Sequence, residues 1–164
     1  MKFLILALCI AATTADLHKI TLDAHQVHLI QSSWNQVKHN EVDILAAIFR
    51  DHPDIQDKFA QFAGKDLETI KDTAIFATHA TRSTGFFGAF IALLGSEDNQ
   101  PAINTFLRAL ATSHKARGAV TSQFYQFRDS MINYLKSHTS WNDEVSQSWD
   151  IVFDMAFAVI FEYL

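Results

Sequence analysis

The stretch LRALATSHKARG, residues 107–118, decides how the rest of the chain is read. Leu107, Leu110 and Ala111 fall at i, i+3 and i+4, and His114 continues the line one turn later. That spacing predicts a helix whose apolar strip ends in a histidine. Lys115 and Arg117 suit a helix C-terminus, where the macrodipole favours positive charge. Gly118 can adopt positive φ and stop the helix. A neutral imidazole in that place can offer one ring nitrogen to a metal inside an apolar pocket. Its other nitrogen can donate to the Leu110 carbonyl or to Ser113, which fixes the tautomer. Taken alone, the segment reads more simply as a core histidine bonded to a backbone carbonyl.

A chain of 164 residues is one ordinary domain and can bury a real core. Only five Gly and two Pro punctuate it, so long helices are expected and a turn-rich β fold is not. Fourteen Phe suit either a large aromatic core or a pocket for a large flat apolar guest. Residues 1–15, MKFLILALCIAATTA, have the form of a secretory leader: Lys2, an apolar run from Phe3, and small residues before Asp16. The run is too short for a stable bilayer anchor. Cleavage after Ala15 removes Lys2 and no acid, so the formal charge of −5 becomes one unit more negative. An acidic secreted domain, 16–164, is a poor match for nucleic acid. The one cysteine, Cys9, lies in the leader, so no disulfide is expected after export.

Outward from the central stretch, helical spacing recurs. Thr21 is a candidate cap for a first helix through about Lys38, carrying Val27, Ile30, Trp34 and Val37. A second helix starts at Asn40, with Leu45, Ile48 and Phe49 inward. It stops at His52-Pro53, because the residue before proline is pushed out of the α region. Ile55, Phe59 and Phe62 mark a short helix and a corner closed by Gly64. A long helix then runs from Asp66 or Asp72 to Leu94. Its expected inner line is Ile75/Phe76, His79, Ser83, Phe86/Phe87, Phe90 and Leu94. His79 and Ser83 are therefore polar neighbours in an apolar stripe. GSEDNQP (95–101) is a loop, and Ala102–Lys115 is the helix of the opening stretch. Thr121 is a candidate cap for a helix bearing Phe124, Phe127, Met131, Tyr134 and Leu135. After a corner at 137–142, Asp143–Leu164 forms a broad apolar helix.

His79 and His114 thus occupy apolar faces of two helices, 35 residues apart. The connection allows those helices to face each other, with an aromatic corner at Phe59 and Phe62 beside them. Five segments carry a family resemblance: SWNQV (33–37), HPDIQDKFAQFAGKDL (52–67), TAIFATHATR (73–82), ATSHKARG (111–118) and the aromatic final helix. In these the chain resembles the globin family, and within it the secreted larval haemoglobins of midges. The likeness spans about Thr21 to Leu164.

The resemblance implies an all-α globin fold of about eight helices around a haem pocket, with haem b as cofactor. It makes His114 the proximal iron ligand, His79 the distal histidine facing O2 or another small gaseous ligand, and Phe59 the ring stacked on the haem. It places Leu45 and Phe62 at the distal side, Leu110 behind the proximal histidine, and Val120, Phe124 and Phe127 along the proximal wall. Arg82 either reaches a haem propionate or is merely solvated. Ser83 departs from the family, which usually has Val, Ile or Leu there. Its hydroxyl would hold a water, bond the ligand, or bond back to the His79 carbonyl. The implied function is reversible O2 binding for extracellular transport or storage in haemolymph, as a monomer or homodimer, with no membrane or nucleic-acid partner and no enzymatic role. The competing reading is a haem-dependent peroxidase-like or nitric-oxide-consuming enzyme, suggested by His79 and Arg82 on one helix turn.

Overall fold

A computed structural model describes residues 19–164, so the leader expected at 1–15 lies outside the described residues. Eight α-helices are present among them: α1 Ala24–Val37, α2 Glu41–Asp51, α3 Pro53–Gln56, α4 Leu67–Ile70, α5 Ala74–Leu93, α6 Gln100–Lys115, α7 Thr121–His138 and α8 Asp143–Tyr163. A short 3-10 turn, Glu97–Asn99, precedes α6. No strand occurs among the described residues.

Local chemistry sets the boundaries. Asp23, not Thr21, caps α1: its carboxylate accepts from Gln26 N at 2.8 Å while Gln26 Oε1 accepts from Asp23 N at 3.0 Å. A reciprocal pair satisfies two otherwise orphaned donors, which Thr21 could not do from outside the first turn. The expected long helix is split. Asp66 caps α4, and Thr73 caps α5 by accepting from Phe76 N. Thr121 is likewise the first residue of α7 and not its cap. Val120 holds that place, its N–H donating to Gln123 Oε1 at 3.2 Å.

α2 lies against α5 and α7, α6 against α8, and α1 against α8. Trp149 of α8 is fully enclosed, and its ring stacks at 5.9 Å on Phe87 of α5. Its indole N–H donates to Ser33 Oγ of α1 at 2.9 Å. Phe49 and Phe76 form an edge contact at 5.8 Å that fixes α2 on α5. Burial of these rings supplies most of the driving force, since the described residues carry no disulfide-forming pair.

The phase of α5 differs from the expected one. Its buried positions are Phe76, Ala80, Thr84, Phe90 and Ile91, whereas Ile75 is 63% exposed and Ser83 is exposed. The packing stripe therefore lies one residue C-terminal of the expected line. His79, Ser83 and Phe86 occupy a neighbouring strip, where Phe86 stacks on Phe106 of α6 at 3.8 Å. Thr84, not the serine, bonds back along the helix, to Ala80 O at 2.9 Å.

Candidate functional site

The end of α6 is built to hold His114 still. His114 O accepts from Ala119 N at 3.0 Å, and Lys115 O accepts from Gly118 N at 2.9 Å. With Gly118 at φ 72°, this is the paired closure of a Schellman stop, as the central stretch predicts. Arg117 Nη1 donates to Ser113 O at 2.8 Å and to Ser113 Oγ at 2.7 Å, so the last turn is also tied by its side chains.

The ring of His114 is fixed by Leu110, whose carbonyl lies 2.9 Å from Nδ1. A carbonyl only accepts, so Nδ1 carries the proton and the lone pair is on Nε2. Ser113, the other partner the sequence allowed, is engaged by Arg117 instead. Phe124 of α7 stands 5.5 Å from the imidazole and itself packs on Phe157 and Phe161. Burial pushes the His114 pKa below the ordinary 6.5, the Leu110 bond pushes partly back, and Arg117 lowers it further. The group is a neutral, oriented nitrogen base.

On α5, His79 is half-buried and edge-on to two rings, Phe59 at 4.6 Å and Phe62 at 5.7 Å. Phe59 and Phe62 rest in turn on Phe49. Leu45 is buried on α2. Burial first, then Arg82 and Arg117, push the His79 pKa down. Both guanidinium groups are therefore close enough to His79 to be felt, one from α5 and one from the corner after α6.

The expected site residues do not all converge. Phe124 meets His114 directly. Phe127 is half-buried and turns toward Phe87 at 5.8 Å and Phe153 at 6.4 Å. Val120 is 53% exposed on the corner between α6 and α7. Ser83 makes no hydrogen bond among the described residues, so its hydroxyl does not bond back to His79. Arg117 was not singled out from the sequence beyond its fit to the helix dipole, and its link to Ser113 and its field at both histidines mark it as part of the site. Lys58 was also missed. It follows α3 and donates from Nζ to Gly118 O at 2.9 Å, joining the Phe59 corner to the Gly118 corner.

Both imidazoles are neutral in the fold because their charged forms are disfavoured there. The unfolded chain therefore takes up more protons below pH 6.5. Their contribution to stability is complete above that value and is lost as pH falls through the lower folded values. We expect the urea midpoint of the haem-free chain to be flat above about pH 7 and to fall below 6.5, less steeply in His79→Leu. Equal slopes in the two proteins would remove His79 from this account.

His114 on α6 and His79 on α5, each held neutral beside aromatic rings and each within the field of Arg117, make up the candidate site. The chain belongs to the globin family: the globin family model matches residues 42–160. It is 56% identical over 144 residues to globin CTT-X of Chironomus thummi thummi, covering 88% of this chain and 95% of that one. It is 51% identical to globin CTT-II beta of the same organism over the full length of both. A solved hemoglobin component, TA-VII from Tokunagayusurika akamusi, superposes with a TM-score of 0.87 at 39% identity, covering 89% of this chain and 98% of that one.

Globin membership implies a haem cofactor, and the residues present fit one. Nε2 of His114 has a free lone pair. The walls around both histidines are aromatic and aliphatic. Arg82 and Arg117 place positive charge near the cleft, where a dianionic ring needs it.

Proposed function

We propose that the protein reversibly binds O2 at haem b, with His114 as proximal iron ligand and His79 as the distal hydrogen-bond donor. The single observation that supports this most is the 2.9 Å bond from His114 Nδ1 to Leu110 O, which presents Nε2 as a ligand of fixed orientation. Bound haem supplies a ferrous iron at which a small gas is taken up and released. The chain's own residues do the rest. His114 holds the cofactor from below. His79, kept neutral, carries one ring proton that it can donate toward the gas. Phe59 and Phe62 fix the His79 ring and keep water from that side. Phe124 backs the proximal imidazole, and Arg82 and Arg117 attract the cofactor's carboxylates.

The carrier reading is favoured over an enzyme because the distal side offers one neutral histidine and no second acid–base group beside it. Among the described residues no helix is long and apolar enough to cross a membrane. We infer that residues 1–15 direct secretion, that the working domain is 16–164, and that it acts in extracellular fluid as a monomer or homodimer. Carriage or storage of O2 in haemolymph follows from that placement and from the likeness to the Chironomus globins.

The test is O2 equilibrium binding by haem-reconstituted parent and His79→Leu protein. A hydrogen bond to a polar ligand in a dry site contributes about 1–3 kcal/mol. We therefore expect the variant to retain haem and bind O2 about tenfold or more weakly. Unchanged O2 affinity would overturn the distal assignment, and failure of the parent to bind haem would overturn the function.

A further inference from the structure

A second concavity lies outside the haem pocket, on the opposite flank of α5. It is a cleft of about 490 Å³ between α1 and α5. That size falls within the roughly 300–1,000 Å³ usual for small-molecule sites. Its α5 wall is a strip of small residues, Thr81, Gly85, Gly88 and Ala92, at helical spacing. One end is closed by Gln31, whose Nε2 donates to Ile91 O at 3.3 Å. The other end is bordered by Lys38 and Glu41, one charge of each sign.

Two features of this cleft have no explanation within the chain. Trp34 lines it and is only 5% exposed, with its edge against Phe87 at 5.2 Å. Its Nε1 makes no hydrogen bond among the described residues and is open to the cleft, where the acceptor of a guest can reach it. That nitrogen is directed at the glycine strip, since a Cβ on Gly88 would stand 3.2 Å from it. Gly88 thus has a packing reason. Gly85 has none: a Cβ there would meet nothing within 4 Å. Glycine in a helix interior costs stability, so an unexplained one beside an unpaired donor points to something that lies on the backbone from outside.

We propose that this cleft binds a flat, neutral ring compound carrying a hydrogen-bond acceptor, such as a planar aromatic ketone. The bare backbone at Gly85 and Gly88 gives the ring a smooth floor. Trp34 Nε1 donates to its acceptor. The balanced charge of Lys38 and Glu41 at the mouth favours a neutral guest over an ion. The site is independent of the cofactor and leaves the haem pocket unchanged.

The test uses haem-loaded, carbon-monoxide-bound protein labelled with nitrogen-15. Its three tryptophans give separate indole signals, and Trp34→Phe identifies the one concerned. The probe is 9-fluorenone, with fluorene as the analogue that lacks the acceptor. We expect fluorenone to move the Trp34 signal saturably, without change in the haem spectrum. Fluorene should bind about tenfold more weakly, the equivalent of one hydrogen bond. Gly85→Leu should abolish the shift while haem content and melting temperature are kept. An unmoved Trp34 signal up to the solubility limit would overturn the proposal, as would equal binding by fluorene or by Gly85→Leu. A Trp34 signal that moves with protein concentration alone, together with dimer in sedimentation, would reject it in favour of a second copy of the chain.

Discussion

His114→Gly, loaded with haem and passed through a desalting column, is expected to emerge without a Soret band. The parent should keep its haem through the same column. Loss of an outer partner of a metal ligand costs about 10–100-fold in affinity, and removal of the ligand itself must cost more. Added imidazole should restore the band, because the pocket walls remain and only the nitrogen base is missing. Glycine near a helix end also costs about 1 kcal/mol of helix stability. His114→Leu separates the two effects: it keeps the helix and should lose haem equally. Haem retention at the parental level in both variants would show that the iron is held elsewhere.

Trp149→Ala should be the most damaging change away from the cleft. The side chain is fully enclosed, stacks on Phe87 and contacts Phe153 at 5.8 Å. Truncation opens a cavity where α1, α5 and α8 meet, and such changes cost about 3–5 kcal/mol. It also takes the donor away from Ser33 Oγ, which itself donates to Leu29 O at 2.7 Å. Trp149→Phe keeps a ring and loses the bond, so it should lose less than half as much. Urea unfolding of the three proteins checks this. A loss below about 1 kcal/mol for the alanine variant would mean that the helices close over the gap.

Much of this was legible in the residues. The stop at Gly118 followed from LRALATSHKARG, and the ring partner of His114 was narrowed there to the Leu110 carbonyl or Ser113, of which the structure has Leu110. Pro53 ended α2 as expected, since a proline acts on the residue before it. The failures share a cause, which is competition between candidates a few positions apart. Thr21 and Asp23 can both cap, and only the reciprocal bond with Gln26 decides for Asp23. On α5, apolar residues occur on several faces, so periodicity could not tell the packing stripe through Phe76 and Ala80 from the cleft strip through His79 and Ser83. Arg117 and Lys58 act over chain separations that no local pattern reveals. Lys58 reaches Gly118, 60 positions away.

The Schellman stop has a consequence for how such chains can change length. His114 is bonded through its ring to the turn before it and through its carbonyl to the turn after it. A residue inserted or deleted between Leu110 and His114 would rotate the imidazole about 100° around the helix axis, and one between His114 and Ala119 would break the closing turn. The stretch after α5 is tied by side chains, Asn99 Nδ2 donating to Leu93 O at 3.0 Å and Lys19 pairing with Glu97 at 2.6 Å, and holds no site residue. Gly95 to Asn99 is irregular or 3-10 and lies on the surface. Insertions and deletions in related chains are therefore tolerable between Gly95 and Asn99 and disruptive between Leu110 and Ala119, so the number of residues between the two histidines can vary while the closing turn at His114 stays intact.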